Sequence, residues 1–216
     1  MFDSRKRTAT ALVALTAIAA GTGAAASRAA HEATACSLVS TGQARSVTGL
    51  SQSMVLKDVN GTTKLSHAAE TECIVGAWSG TTPTSPDQIA QIAKAGNGAE
   101  IGIETWTKNT GPSGRAWPAD YRKLTRGFVT DGATFPGLFS AAGMTSKHLA
   151  LSAMGFKTTG LQFALTGRMQ GVVAAMGCWW NDKKQSAVCV LVEESAQKPF
   201  LNHLSSVAKL AVRKFL

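Results

Sequence analysis

Cys178 and Cys189 stand at equal distances from Lys183-Lys184, and that symmetry constrains the fold more than any other feature of the chain. If the chain turns back through Asp182 to Gln185, the two cysteines become direct cross-strand partners. At a non-hydrogen-bonded position their Cα atoms then lie about 4.5 Å apart, within reach of a disulfide. Whether cysteines pair depends on compartment, and the N-terminal segment speaks to that. Arg5, Lys6 and Arg7 make a positive n-region, Ala9 to Ala20 an apolar h-region, and Ala24-Ala25-Ala26 a small-residue cleavage site. The chain therefore reads as exported, with residues 1–26 a signal peptide, 27–35 a small polar tether and 36–216 a single secreted domain. With Cys178 joined to Cys189, Cys36 is left for Cys73. On the loop-entropy model the longer bridge is worth roughly 4 kcal/mol and the hairpin bridge roughly 3.

Of 216 residues, removal of the first 26 leaves 190, enough to bury a substantial core. Losing Arg5, Lys6, Arg7 and Asp3 lowers the formal charge from +9 to +7. After the h-region no run approaches the ~20 apolar residues of a spanning helix, so no transmembrane segment is expected in the mature chain. The basic residues are scattered, with local clusters only at Arg122/Lys123/Arg126, Lys183/Lys184 and Lys209/Arg213/Lys214. No nucleic-acid motif accompanies them, so any attraction to anionic envelope polymers is expected to be a nonspecific charge effect. No cysteine has a second at CxxC spacing, and His31, His67, His148 and His203 form no HxxxH pair. Neither a metal site nor a cofactor is expected.

The local signals predict an α+β fold: an antiparallel sheet with helices on one side, a C-terminal amphipathic helix and two disulfides. Ser40 and Gln43 fit a capping box, and Gly49 is placed to stop the short helix they start. Asn60-Gly61, a turn pair that tolerates positive φ twice, predicts a hairpin turn between Met54–Val59 and Thr62–His67. Thr71 to Trp78 reads as strand. Ser85-Pro86 opens a helix that runs to Gly96, and Glu100 to Thr107 is the next strand. Asn109 to Asp120 is a long Gly/Pro loop, Tyr121 to Arg126 a helical turn, and Val129 to Met154 has no clear period. Leu161–Thr166, Gly171–Trp180 and Gln185–Glu193 read as strands. The last is apolar on both faces and should be central. Pro199 to Phe215 places Phe200, Leu204, Val207, Ala208, Ala211 and Phe215 on one helical stripe. Cys73, strand and helix echo Cys189, strand and helix, which would put both helices on one side of the sheet.

Catalytic patterns are weak. Gly76-Ala77-Trp78-Ser79-Gly80 has its serine one place late for a nucleophile elbow, and Gly96-Asn97-Gly98 follows a helix where a phosphate cradle would precede one. Glu193-Glu194 and Glu70/Glu72 read as solvated charge. Adjacent residues on a strand face opposite ways, so Glu193 and Glu194 should not share a substrate. Trp78, Trp106, Trp179 and Trp180 lie in strand segments and are expected in the core. Trp117 lies between glycines and Pro118, beside Arg115, Tyr121 and Arg122, and these four are the candidate ligand-binding lip.

The segment Cys36-Ser37-Leu38-Val39-Ser40, a short helix ending at Val47-Thr48-Gly49, the later Thr71-Glu72-Cys73-Ile74 and a terminal amphipathic helix resemble the uncharacterised small exported proteins and lipoproteins of actinobacteria. The resemblance implies an exported, non-catalytic α+β domain and carries over no active-site residues. Ala33-Thr34-Ala35-Cys36 departs from a lipidation box, which keeps Cys36 for a disulfide. The expected function is a secreted, non-catalytic, envelope-associated binding domain. Its partner would be a protein or an anionic or carbohydrate envelope ligand. A small hydrolase with a dispersed site, and an inhibitor or toxin-like protein using the disulfide hairpin, are the alternatives. If the lip binds, Trp117→Ala should weaken ligand binding by ~1 to 3 kcal/mol with little change in Tm, measured by titration beside a thermal melt.

Overall fold

Alternating apolar residues sort onto the two faces of a sheet only when strands pair in register, and the register here is unbroken across all but one ladder. The computed structural model describes residues 34–62, 68–108, 145–165, 169–184 and 186–216. In chain order they form α1 (Ala35–Leu38), α2 (Thr41–Thr48), β1 (Gln52–Thr62), β2 (Ala68–Trp78), α3 (Pro86–Lys94) and β3 (Gly98–Lys108). These are followed by β4 (Thr145–His148), β5 (Lys157–Ala164), β6 (Val172–Asn181), β7 (Ser186–Ser195) and α4 (Phe200–Phe215). The seven strands make one sheet of order β1-β2-β3-β7-β6-β5-β4, antiparallel throughout. The expected signal peptide, most of the expected tether, the expected loop over 109–120 and the expected turn over 121–126 lie outside the described residues.

Both disulfides form as the spacing requires. Cys178 and Cys189 are register partners in the β6–β7 hairpin, with Cα atoms 4.0 Å apart. Cys36 joins Cys73 and ties α1 to β2 across a Cα distance of 5.0 Å. The first bridge lies inside the sheet, flanked by β3 and β5, rather than on a projecting loop.

Helices α1, α2 and α4 contribute to the main core on one face of the sheet. From α4 come Leu204, Val207, Ala208, Ala211 and Val212; from the sheet come Cys73, Val75, Ile101, Ile103, Val188, Val190 and Val192. Each such Leu or Val is worth roughly 1.5–3 kcal/mol buried. At the start of α2, Ser40 Oγ accepts from the Gln43 amide while Gln43 Oε1 accepts from the Ser40 amide, and Gly49 closes the helix at φ 70°. At α3, Ser85 Oγ accepts from the Gln88 amide, and Gly98 leaves room for Ile92, whose Cγ2 would lie 2.8 Å from an added Cβ. β7 is the middle strand of the seven, with both faces largely buried.

The Asn60-Gly61 turn does not form. β1 runs through it to Thr62, with Asn60 opposite Thr71 and Gly61 opposite Glu70. A two-residue turn there would pair Val59 with Thr62 and set Cys73–Trp78 against residues 43–48, which form α2. Tertiary pairing of the long buried β2 outweighs the local preference. The same ladder carries a bulge: Leu56 is an extra residue between the Val55–Val75 and Lys57–Ile74 pairs.

Gly160 and Gly177 are register partners on β5 and β6, and Leu151 fills the notch they leave. Trp179, 1% exposed, closes this region and donates from Nε1 to the Ser152 carbonyl at 2.8 Å. A Cβ on Gly160 would lie 2.5 Å from Leu151 Cδ1. Gly160→Ala should therefore cost about 1–3 kcal/mol in denaturant titration, and less than about half of that in a Leu151→Ala background.

Candidate functional site

Strand alternation decides which carboxylates meet. Glu72 on β2 lies directly opposite Glu104 on β3, and Glu100 on β3 directly opposite Glu193 on β7. Glu100 and Glu104 are four residues apart on one strand, so all four project from the same face, the one turned away from α4. Glu72 is bound by Lys57 at 2.7 Å. Glu100 and Glu193 have neither a hydrogen bond nor a cation partner among the described residues, and Glu193 is only 8% exposed. Gly76, the other register partner of Glu100, continues this row onto β2.

Burial first, and the charge of Glu100 second, push Glu193 from the ordinary 4.5 up to about 8. Burial and the neighbouring Glu72 raise Glu100 as well. The pair thus holds a proton at neutral pH, since like charges directly opposite across two strands are unfavourable.

Beside the pair is an apolar depression lined by Leu56, Gly76, Trp78, Pro83, Ile92 and Gly98. Leu56 lies over Gly76: a Cβ there would sit 2.9 Å from Leu56 Cδ1. Leu56 is 39% exposed, and Met54, the β1 register partner of Gly76, is 46% exposed. Trp78 is held by its Nε1 donating to Gln52 Oε1 at 3.2 Å.

On the opposite face Glu194, 2% exposed, accepts from His203 Nδ1 at 2.7 and 2.9 Å through its two oxygens. Burial raises the Glu194 pKa, and His203 and Lys198 oppose that rise. This links β7 to the first turn of α4. His148 is exposed on β4, and His31 and His67 lie outside the described residues. Ser79 Oγ accepts from the Ser51 amide, a strand-end role, and Gly96 ends α3 at φ 77°. Among the described residues no three or more His, Cys, Asp or Glu side chains could hold a metal ion.

The candidate lip, Arg115, Trp117, Tyr121 and Arg122, lies outside the described residues. Trp78, Trp106 and Trp179 are buried as expected, and Trp180 packs beside Cys178, Cys189 and Trp106. Glu193 and Glu194 do face opposite ways, but the expectation of solvated charge is overturned for both. They lie at the centre of the sheet, where β3 and β6 flank them and desolvation follows from position. Sequence reading missed Glu100 and Glu193 as a pair because their partnership is non-local. The available signal was that Glu100, Glu104 and Glu193 all fall within apolar strand segments.

No protein-family model matches the chain, and no curated protein matches it. Its fold is similar to the extracellular domain of PknH from Mycobacterium tuberculosis, with a TM-score of 0.51 at 11% identity over 86% of this chain and 96% of that one. The Ran-binding protein Mog1p of Saccharomyces cerevisiae aligns over 73% of this chain and 94% of its own, at 10% identity and a TM-score of 0.33.

Glu193 gives a pH signature of defined sign. The folded chain keeps a proton that the unfolded chain releases above 4.5, so this group lowers stability as pH climbs from 4.5 toward 8 and has no further effect on either side. Glu193→Gln should raise stability at pH 7 by about 2 to 3 kcal/mol and by nothing below about pH 4, read from thermal melts across pH.

Proposed function

We propose that this chain is an extracytoplasmic, non-catalytic binding domain that acts at the cell envelope and takes its ligand on the sheet face turned away from α4. The observation that carries the reading is the Glu100–Glu193 pair: two carboxylates in register, without partners among the described residues, in a sheet braced by two disulfides. Opposing like charges destabilises a sheet, so their placement there is explained by a ligand rather than by folding. Paired cysteines fit an oxidising compartment. The likeness to an extracellular domain and the basic, Ala-rich N-terminal segment support the same location. So does the resemblance of the Cys36–Ser40 start to exported actinobacterial proteins. Among the described residues no helix is long and apolar enough to cross a membrane.

The test is to export the tagged full chain from a bacterial host, block thiols before lysis, and follow it through fractionation and sedimentation with envelope fragments. All four cysteines should resist alkylation until reduced, and the protein should co-sediment with envelope material without releasing products from it. Recovery from the cytosol with alkylatable thiols, or turnover of envelope material, would overturn the reading.

A further inference from the structure

We propose that Glu100 and Glu193 anchor a binding site for an organic cation that carries N–H donors on an apolar body, with the cation between the two carboxylates and the body on Leu56, Met54 and Trp78. The assignment specifies the ligand class of the binding domain proposed above and rests on that reading.

Three independent features meet at this place. The first is a row of carboxylates on β2 and β3, of which Glu72 is already answered by Lys57 at 2.7 Å. The second is Glu193 on β7, only 8% exposed, without a hydrogen-bonding partner among the described residues, and in register with Glu100, so that it is aimed into that row. A buried carboxylate facing a second carboxylate needs a donor, and a cation with several N–H groups donates to both at once. The third feature is apolar. Gly76 is the register partner of Glu100, and Leu56 lies over it, so the depression begins where the carboxylates end. Leu56 at 39% exposed gives an aliphatic rim and Trp78 an aromatic wall, and Met54, 46% exposed, is the β1 register partner of Gly76. Carboxylates against an apolar wall fit an ammonium or guanidinium on a hydrocarbon stem, since such groups keep their charge at one end and bury the stem. A bare metal ion is disfavoured by the donor set, because no three metal-ligating side chains converge among the described residues.

Isothermal titration calorimetry on the disulfide-bonded chain tests this with four probes: 4-phenylbutylamine, the neutral isostere 4-phenylbutanol, N-acetyl-Phe-Arg-amide and calcium chloride. The amine or the dipeptide should bind at least about tenfold more tightly than the alcohol, and in the Glu100→Gln/Glu193→Gln double variant that preference should shrink to within about twofold. A stronger response to the dipeptide identifies a basic peptide as the source of the cation, and a stronger response to the amine a small molecule; either supports the site. Glu100→Gln alone, with its melt recorded, serves if the double variant does not fold. Equal binding of amine and alcohol, a preference that survives in the variant, or calcium binding tighter than both through the same carboxylates would overturn the proposal. If these tests fail while the bridges are closed and the chain still sediments with envelope, the site is wrong and the binding-domain reading stands.

Discussion

The pairing of β3 with β7 is the contact on which the rest of the structure depends. It joins two runs of strands, β1-β2-β3 and β7-β6-β5-β4, within each of which every strand pairs with its neighbour in chain order. Along this seam Ile101 meets Val192 and Ile103 meets Val190, and the same residues form the floor on which α4 lies. A one-residue slip would exchange the two faces of β7, sending Val190 and Val192 away from α4 and Glu193 into its core. The apolar run of β7 therefore sets both the packing and the site. The register that buries the valines under the helix brings Glu193 opposite Glu100 on the far side.

The two faces of β7 treat neighbouring glutamates differently, and the contrast separates structure from function. Glu194 is the more deeply buried, yet His203 answers both its oxygens and Lys198 lies near enough to oppose the effect of burial on its pKa. That arrangement fastens α4 to the strand and leaves nothing to explain. Among the described residues Glu193 faces another carboxylate, Glu100, with no cation to answer it. A fold selected for stability alone would lose nothing by placing an apolar residue there, which is why the proposed ligand is placed against this carboxylate.

Most of the fold was legible in the sequence where local rules and tertiary packing agree. Ser40 with Gln43, Ser85 with Pro86, the apolar stripe from Leu204 to Val212 and the symmetric cysteines all state a local geometry that the core then uses. Asn60-Gly61 failed because a turn preference worth little is overruled by a strand that needs a partner along its whole length. The candidate site was legible only in part. Residue type and strand period place Glu100 and Glu104 on one face of their strand, but no period reveals which strand lies beside β3, and Glu100 and Glu193 stand 93 positions apart in the chain. The charge pair is a product of topology, and topology was the link that the sequence left open.

The bulge at Leu56 has a consequence for how copies of this protein behave in company. β1 is the edge of the sheet and carries Met54, Val55 and Leu56 in succession, all substantially exposed, which is the composition of a strand that recruits other strands. An extra residue breaks the repeat of outward-facing amide and carbonyl groups at that very run and twists the edge out of plane. The ladder a neighbouring chain would have to join is interrupted at that run, which disfavours strand-to-strand growth along this edge.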